Sequence, residues 1–238
     1  MRRGEYMSKE LWKSLWMKYR HLLPVLVYMI FYMSIFAYVE NRPNHHIHLL
    51  GNGYDNLIPF CEYFIVPYYL WFLYITVGVL YFALIEKDRS QYYSLITNLC
   101  IGMTLFLIIS LVWPNGHTLR PAVFENDSIF TRLVQQLYRI DTSTNVFPSI
   151  HVFNSVAVHS AISRCSDLRK NHMWIIHGSF VLCLLIIAST LFLKQHTIID
   201  VVAGLLLNFG TYCLVYSPEA EAHRRQTASR NWHHNRYK

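Results

Sequence analysis

Apolar residues in this chain come in long unbroken runs instead of alternating or recurring at helical period. Six runs stand out, at residues 22–39, 60–85, 92–113, 150–165, 173–193 and 197–216. A hydrocarbon core about 30 Å thick asks for roughly 20 apolar residues in a helix rising about 1.5 Å per residue. Each run is therefore expected to be a membrane helix, which makes the fold class all-α, an integral membrane bundle of six transmembrane helices. The fourth run is short for a full crossing, so it is expected to stand steeply or to be partly sheltered. Pro114-Asn115-Gly116 ends the third run and Ser217-Pro218 closes the sixth. Pro67 predicts a break that leaves 57–66 at the interface and starts the second span at 68.

The connection at 114–148 carries a different pattern. Ile129, Phe130, Leu133, Val134, Leu137 and Tyr138 form one helical stripe, with Arg132, Gln135, Gln136 and Arg139 opposite. This predicts an amphipathic helix over 128–140, capped by Asn126, Asp127 or Ser128. Such a helix either lies on the outer leaflet or packs on the ends of its own bundle.

Composition strengthens the membrane reading. Of 238 residues, 53% are apolar and only 15% charged, against about a quarter charged in soluble domains. A net charge of +7 raises the question of nucleic acid, but the basic residues sit in short runs between apolar blocks. Orientation in the membrane explains them, and no nucleic-acid partner is expected. With a cytoplasmic N-terminus, sixteen of the 21 Lys and Arg residues lie inside, while Arg42, Arg120, Arg132, Arg139 and Lys194 remain outside. The positive-inside rule then puts both termini in the cytoplasm and 114–148 outside. Residues 1–21 read as a basic cytoplasmic segment, 22–216 as the membrane domain and 217–238 as a basic cytoplasmic tail. The first apolar run is long and bulky, with no small-residue cleavage site after it, so it reads as an uncleaved helix. Five cysteines form no Cys-x-x-Cys pair and read as packing residues. No internal repeat or low-complexity tract is evident.

Three polar clusters, far apart in sequence, fall on the same outer face: Arg120-Pro121, Pro148-Ser149-Ile150-His151 and Lys194-Gln195-His196. His196 and Asp200 are four apart, so on a helix they share a face. A carboxylate holding the Nδ1 proton of His196 leaves Nε2 as a nucleophile and stabilises the cation formed on attack. His151 supplies a second imidazole to protonate a leaving oxygen. Arg120 and Lys194 are cations suited to a phosphoryl group, and Ser149 adds a donor where a helix start favours an anion. Together these groups suggest phosphoryl transfer through a phosphohistidine. Each has a plainer reading. Arg-Pro alone means little, His-x-x-x-Asp arises by chance, and Pro-Ser-x-His can simply start a helix. Asp200, however, lies in an apolar membrane run, where an ionisable side chain is costly.

These clusters resemble those of the type 2 phosphatidic acid phosphatase family, relatives of bacterial acid phosphatases and vanadium haloperoxidases. That family shows Lys-x6-Arg-Pro, Pro-Ser-Gly-His and Ser-Arg-x5-His-x3-Asp. Here Arg120-Pro121 stands, with Trp113 at the Lys position. The second motif reads Pro148-Ser149-Ile150-His151, with Ile for Gly. The third reads Ser189-Thr190, then His196 and Asp200, with Thr for Arg. The resemblance covers about residues 60–216 and implies the family's six-helix fold. It implies His196 as nucleophile, Asp200 as its partner, His151 as acid, and Arg120 and Ser149 as phosphate ligands. Lys194 is added on chemistry alone, as a substitute for a lost cation. The variant motifs are also similar to the branch near inositol phosphorylceramide and sphingomyelin synthases, which transfer the head group to a lipid alcohol.

The chain is thus expected to be a metal-independent lipid phosphatase acting at the outer face on a phosphorylated lipid. No cofactor and no metal are expected. A lipid phosphotransferase is the enzyme alternative, and a non-enzymatic transporter or scaffold the other. The polar stretch Asn115-Gly116-His117-Thr118 looks wet, which favours hydrolysis, whereas Ile150 and Trp113 favour a drier pocket and transfer. His117 is a candidate aid to phosphate binding. His45, His46 and His48 cluster without the carboxylate or Cys spacing of a metal site. His159 and His177 read as packing residues.

Overall fold

The computed structural model describes residues 12, 14–17, 19–43, 46–220 and 222. His45 and most of the two basic terminal segments lie outside the described residues. The architecture is an α-helical membrane bundle. Its long helices are α1 (Leu23–Asn41), α2 (Ile65–Leu84), α3 (Arg89–Val112), α7 (Met173–Phe192) and α8 (Ile198–Val215), and shorter ones are α4 (Ile129–Ile140), α5 (Ile150–Arg164) and α6 (Ser166–Asn171).

Five helical stretches are long and apolar enough to cross a membrane, so the chain is an integral membrane protein: Arg20–Asn41, Glu62–Leu84, Arg89–Val112, Met173–Phe192 and Ile198–Val215. The fourth expected span is α5, whose 15 residues rise only about 22 Å, short of a hydrocarbon core of about 30 Å. It is enclosed instead, against α2, α3, α7 and α8. Nine of its 15 residues are buried, among them Phe153, Ala157, Val158 and Ala161. This shelter explains why α5 tolerates a polar sequence. Close approach needs small partners: a Cβ on Gly102 of α3 would sit 2.0 Å from the Phe153 ring, and one on Gly204 of α8 would sit 2.7 Å from the Ser149 carbonyl oxygen. Gly204 therefore sets how near α8 comes to the start of α5.

Pro67 does not break the second span. The helix begins at Ile65 after a 3-10 turn at Glu62–Phe64, so Pro67 sits in the first turn, where its missing N–H costs nothing. The amphipathic helix exists as α4 and is capped by Ser128, whose Oγ accepts from Thr131 N at 3.1 Å. Its stripe turns inward: Val134 and Leu137 pack with Ile65, Tyr68 and Leu193. Packing on the bundle end is the alternative the molecule takes. Two short strands, β1 (His48–Leu49) and β2 (Asn115–Gly116), pair in parallel and fasten the first connection to the one after α3.

Candidate active site

The chemistry collects where α5 and α8 begin. Ser149 is the N-cap of α5, its Oγ accepting from Val152 N at 3.4 Å. Its own N–H donates to the carbonyl of Asp200 at 3.1 Å, which ties the start of α5 to the first turn of α8. His151 follows within the first turn of α5. Its ring packs against Trp71 and Tyr68 of α2, at centroid distances of 4.4 and 4.8 Å. That aromatic wall directs Nδ1 to within 3.2 Å of His196 Nε2.

His196 stands in the turn between α7 and α8. The carbonyl of Thr190 accepts from both Gln195 N and His196 N, at 2.9 and 3.1 Å. Thr197 is the N-cap of α8 and shares a capping box with Asp200: Asp200 Oδ2 accepts from Thr197 N at 2.7 Å and Thr197 Oγ1 from Asp200 N at 3.2 Å. His196 Nδ1 lies 3.6 Å from Asp200 Oδ2. The expected neighbourhood of His196 and Asp200 is real, but its cause differs. His196 precedes the helix, and the capping box, not a shared helical face, brings the carboxylate to it. His196 Nδ1 and Asp200 Oδ1 are both buried without a hydrogen-bond partner among the described residues. Asp200 is fully buried, and His196 and His151 are only 6% and 8% exposed.

The two expected cations are near but engaged. Arg120 donates to the carbonyls of Tyr138, Asp141 and Thr142 at 3.2, 2.8 and 2.8 Å, and to Gln195 Oε1. Its guanidinium lies 4.2 Å over the Tyr138 ring. A cation on these carbonyls complements the C-terminal end of α4. Arg120 thereby touches the residue next to His196 rather than the imidazoles themselves. Burial pushes its pKa down from the usual range, and neighbouring Asp141 opposes that shift. Lys194 donates to the carbonyls of Asp55 and Ile58 at 2.7 and 2.5 Å. Burial lowers its pKa too, with Asp55 opposing.

His117 is buried, and both ring nitrogens are in use. Nε2 donates to the Gln195 carbonyl at 2.9 Å, and Nδ1 accepts from Leu119 N at 3.3 Å. Burial pushes its pKa down to about 4, so it is a neutral brace for the Gln195–His196 backbone. Asn115, Gly116 and His117 are buried and Thr118 is exposed, so of the stretch expected to be wet only its last residue meets solvent. Asn115 Oδ1 instead accepts from Val146 N and Phe147 N, both at 2.9 Å. Trp113, at the family's Lys position, packs edge-on against Phe147.

Sequence reasoning gave Gln195 no role and missed Tyr68, Trp71 and Asp55 as neighbours of the site. Only Asp55 left a local signal, the capping spacing Asn52-x-x-Asp55. Among the outer-loop histidines, His48 pairs in β1 and packs on Trp113, and no metal-binding group of His, Cys, Asp and Glu exists among the described residues. His159 bonds Ser179 Oγ at 3.0 Å within the bundle, but His177 is exposed on α7. Residues 120–222 match the family model of the PAP2 superfamily. No curated protein and no solved structure matches the chain.

Proposed function

Since residues 120–222 match the PAP2 superfamily, a family of phosphoesterases, we propose that the chain is a membrane lipid phosphatase working through a phosphohistidine. The observation carrying this reading is the 3.2 Å approach of His151 Nδ1 to His196 Nε2, with Asp200 behind at 3.6 Å. In the productive state His196 keeps its proton on Nδ1, facing Asp200, and His151, protonated on both ring nitrogens, donates Nδ1–H to the Nε2 lone pair. A phosphoryl group replaces that hydrogen bond. Nε2 attacks phosphorus, the bond to the lipid oxygen breaks, and the His151 proton passes to that oxygen. In the second half, His151 takes a proton from water, the water oxygen bonds to phosphorus, and the P–N bond breaks.

Ser149, Arg120 and Lys194 serve as the phosphate-binding set. Ser149 offers its hydroxyl at the start of α5. Arg120 and Lys194 add positive charge beside the turn, and Arg120 reaches the substrate by exchanging Gln195 for a phosphoryl oxygen. All charges in this scheme come from side chains, so chelators are expected to leave turnover intact. The site faces the extracytoplasmic side and both termini the cytoplasm, supported by the distribution of Lys and Arg. A cysteine placed at Asn126 is expected to react with an impermeant reagent from outside. Labelling only after the inner face is opened would reverse the orientation.

Transfer to a lipid alcohol is a second reading, and one observation favours it: Asn115, Gly116, His117 and both catalytic imidazoles are buried, and exclusion of water is what transfer requires. The deciding experiment supplies labelled phospholipids with and without diacylglycerol and ceramide, and separates the products. Label in inorganic phosphate, indifferent to acceptors, supports the phosphatase. Label in a new lipid with negligible free phosphate assigns the chain to transfer.

A further inference from the structure

The first connection, between α1 and α2, lies wholly outside the matched stretch, yet it reaches the catalytic turn. Within it, Gly53–Leu57 forms a 3-10 turn with its own capping box. Asn52 Oδ1 accepts from Tyr54 N and Asp55 N, at 2.9 and 3.3 Å, and Asp55 Oδ2 accepts from Asn52 N at 2.7 Å. One carboxylate oxygen completes that turn. The other, Oδ1, accepts from Ile198 N at 2.7 Å, across 143 positions of sequence.

Ile198 is the first residue of α8, and its N–H is one of those that a helix start leaves unsatisfied. The neighbouring donors are taken internally, Thr197 N by Asp200 and Asp200 N by Thr197. Of the two between them, Asp55 satisfies that of Ile198. A buried polar group must be bonded or bear a desolvation cost, and Asp55 is only 1% exposed. Were Asp55 absent, the Ile198 N–H would lose its acceptor in the turn that carries His196 and Asp200. Asp200 Oδ2, the oxygen 3.6 Å from His196 Nδ1, is held in place by Thr197 N.

Lys194 closes the clamp from the other side, donating to the carbonyls of Asp55 and Ile58. It does so from a backbone φ of 52°, a left-handed conformation that favours glycine. The connection is also tied down at both flanks: His48 N donates to Pro114 O, Leu50 N to Gly116 O and Cys61 N to Phe192 O, at 2.9, 2.7 and 3.0 Å. A strap anchored on both sides can transmit position to the turn it grips.

We infer that Asp55 is a positioning residue for the phosphoryl-transfer centre: by capping Ile198 it fixes the His196–Asp200 pair, with Lys194 as the reciprocal strut. The inference rests on His196 being the nucleophile. The full-length protein carrying Asp55→Ala or Asp55→Asn is assayed beside His196→Ala, using short-chain phosphatidic acid or whichever lipid the product assay selects. Asp55→Ala is expected to lower kcat about tenfold to a hundredfold with KM within about twofold, the signature of lost alignment. Asp55→Asn is expected to lose less. Its amide oxygen still accepts from Ile198, while its NH2 opposes Asn52 N–H. Thermal melting in detergent separates misfolding from misalignment, and where Asp55→Ala does not fold, Asp55→Asn decides alone. Wild-type kcat in the folded variants, or a loss matched by the folded fraction, overturns the role of Asp55 and leaves His196 standing. Full turnover in His196→Ala overturns the nucleophile, and Asp55 positioning with it.

Discussion

The two ends of the bundle both carry buried polar groups, but they spend them differently. At the end holding His196, buried atoms stand unpaired: His196 Nδ1, Asp200 Oδ1, Gln195 Nε2 and Arg120 Nε. At the opposite end Gln91 Oε1 is also unpaired, but the groups around Glu86 and Arg89 close on each other. Cys165 Sγ donates to Glu86 Oε2 at 2.9 Å, Arg89 Nη1 lies 2.6 Å from His21 Nε2, and Arg89 also donates to the Ala83 carbonyl at 2.9 Å. Asp88 caps α3 through Ser90 N at 2.9 Å. An unpaired buried polar atom costs about 1–3 kcal/mol, so the first end holds unmet hydrogen-bonding capacity around the imidazoles and the second, Gln91 Oε1 apart, has discharged more of it. The unpaired donors at the first end, Gln195 Nε2 and Arg120 Nε, are what a phosphoryl ligand would satisfy. The difference teaches that the two ends should answer mutation with different quantities, turnover at one and stability at the other.

The largest contrast is expected from His196. His196→Ala should reduce turnover by a factor on the order of 10⁴ or more and abolish any trapped phosphoenzyme. Melting should change far less than turnover, because His196 Nδ1 has no hydrogen-bond partner and only the Nε2 contact with His151 is lost. Single-turnover assays with acid-quenched label check both. Retained activity would dissolve the comparison at its active end. His151→Ala comes next, at about 10²–10⁴ for a poor leaving group, and far less for an activated ester, which needs little help from an acid. Equal losses for both leaving groups would move His151 from acid to ligand.

Much of this was legible in the sequence because apolar runs report burial in lipid directly. The six helices were read with ends close to those observed, and the three motif clusters meet at one end as expected. What escaped was set by partners distant in sequence. The fourth helix is too short to span and is enclosed instead, a fact of packing through Gly102, Gly204 and Phe153. Asp55 displays only a local capping pattern, and nothing in Asn52-x-x-Asp55 says that its second oxygen will meet Ile198. Arg120 and Lys194 are recognisable as cations, but which carbonyls hold them depends on how α4 and the first connection fold back. The stretch from Asn115 to His117 looked wet because its residues are polar, whereas tertiary hydrogen bonds bury it.

A pH experiment sharpens the same contrast. His117 has its pKa lowered by burial to about 4, against about 6.5 in an unfolded chain. Between those values the unfolded state binds the proton and the folded state does not, so stability is full above about pH 6.5 and is lost as pH falls towards 4. The brace on the Gln195 carbonyl is expected to weaken in that window. His117→Gln keeps a donor for that carbonyl and carries no titrating group, so its melting temperature should fall less between pH 7 and 5 than that of the parent. Parallel curves for the two proteins would remove His117 as the acid-sensitive element.

The smallest effect is expected at the opposite end, and it is the most direct way to break the comparison. Glu86 accepts from Cys165 Sγ and from Asp88 N, each at 2.9 Å, so it links the turn after α2 to the junction of α5 and α6. Glu86→Ala removes both bonds. Net hydrogen-bond contributions of about 0.5–1.5 kcal/mol each put the loss near 1–3 kcal/mol, visible as a lower melting temperature in detergent. Turnover per folded molecule should remain within about twofold of the parent, because Cys165 sits at the far end of α5 from His151 and the enclosed middle of that helix is packed by Phe153, Ala157 and Val158. Partner loss at this end then registers as stability alone. If Glu86→Ala instead slows turnover tenfold in protein that is fully folded, α5 is transmitting the change along its length to His151. The two ends would then form one coupled unit, and the division between a discharged end and a reactive end would have to be abandoned.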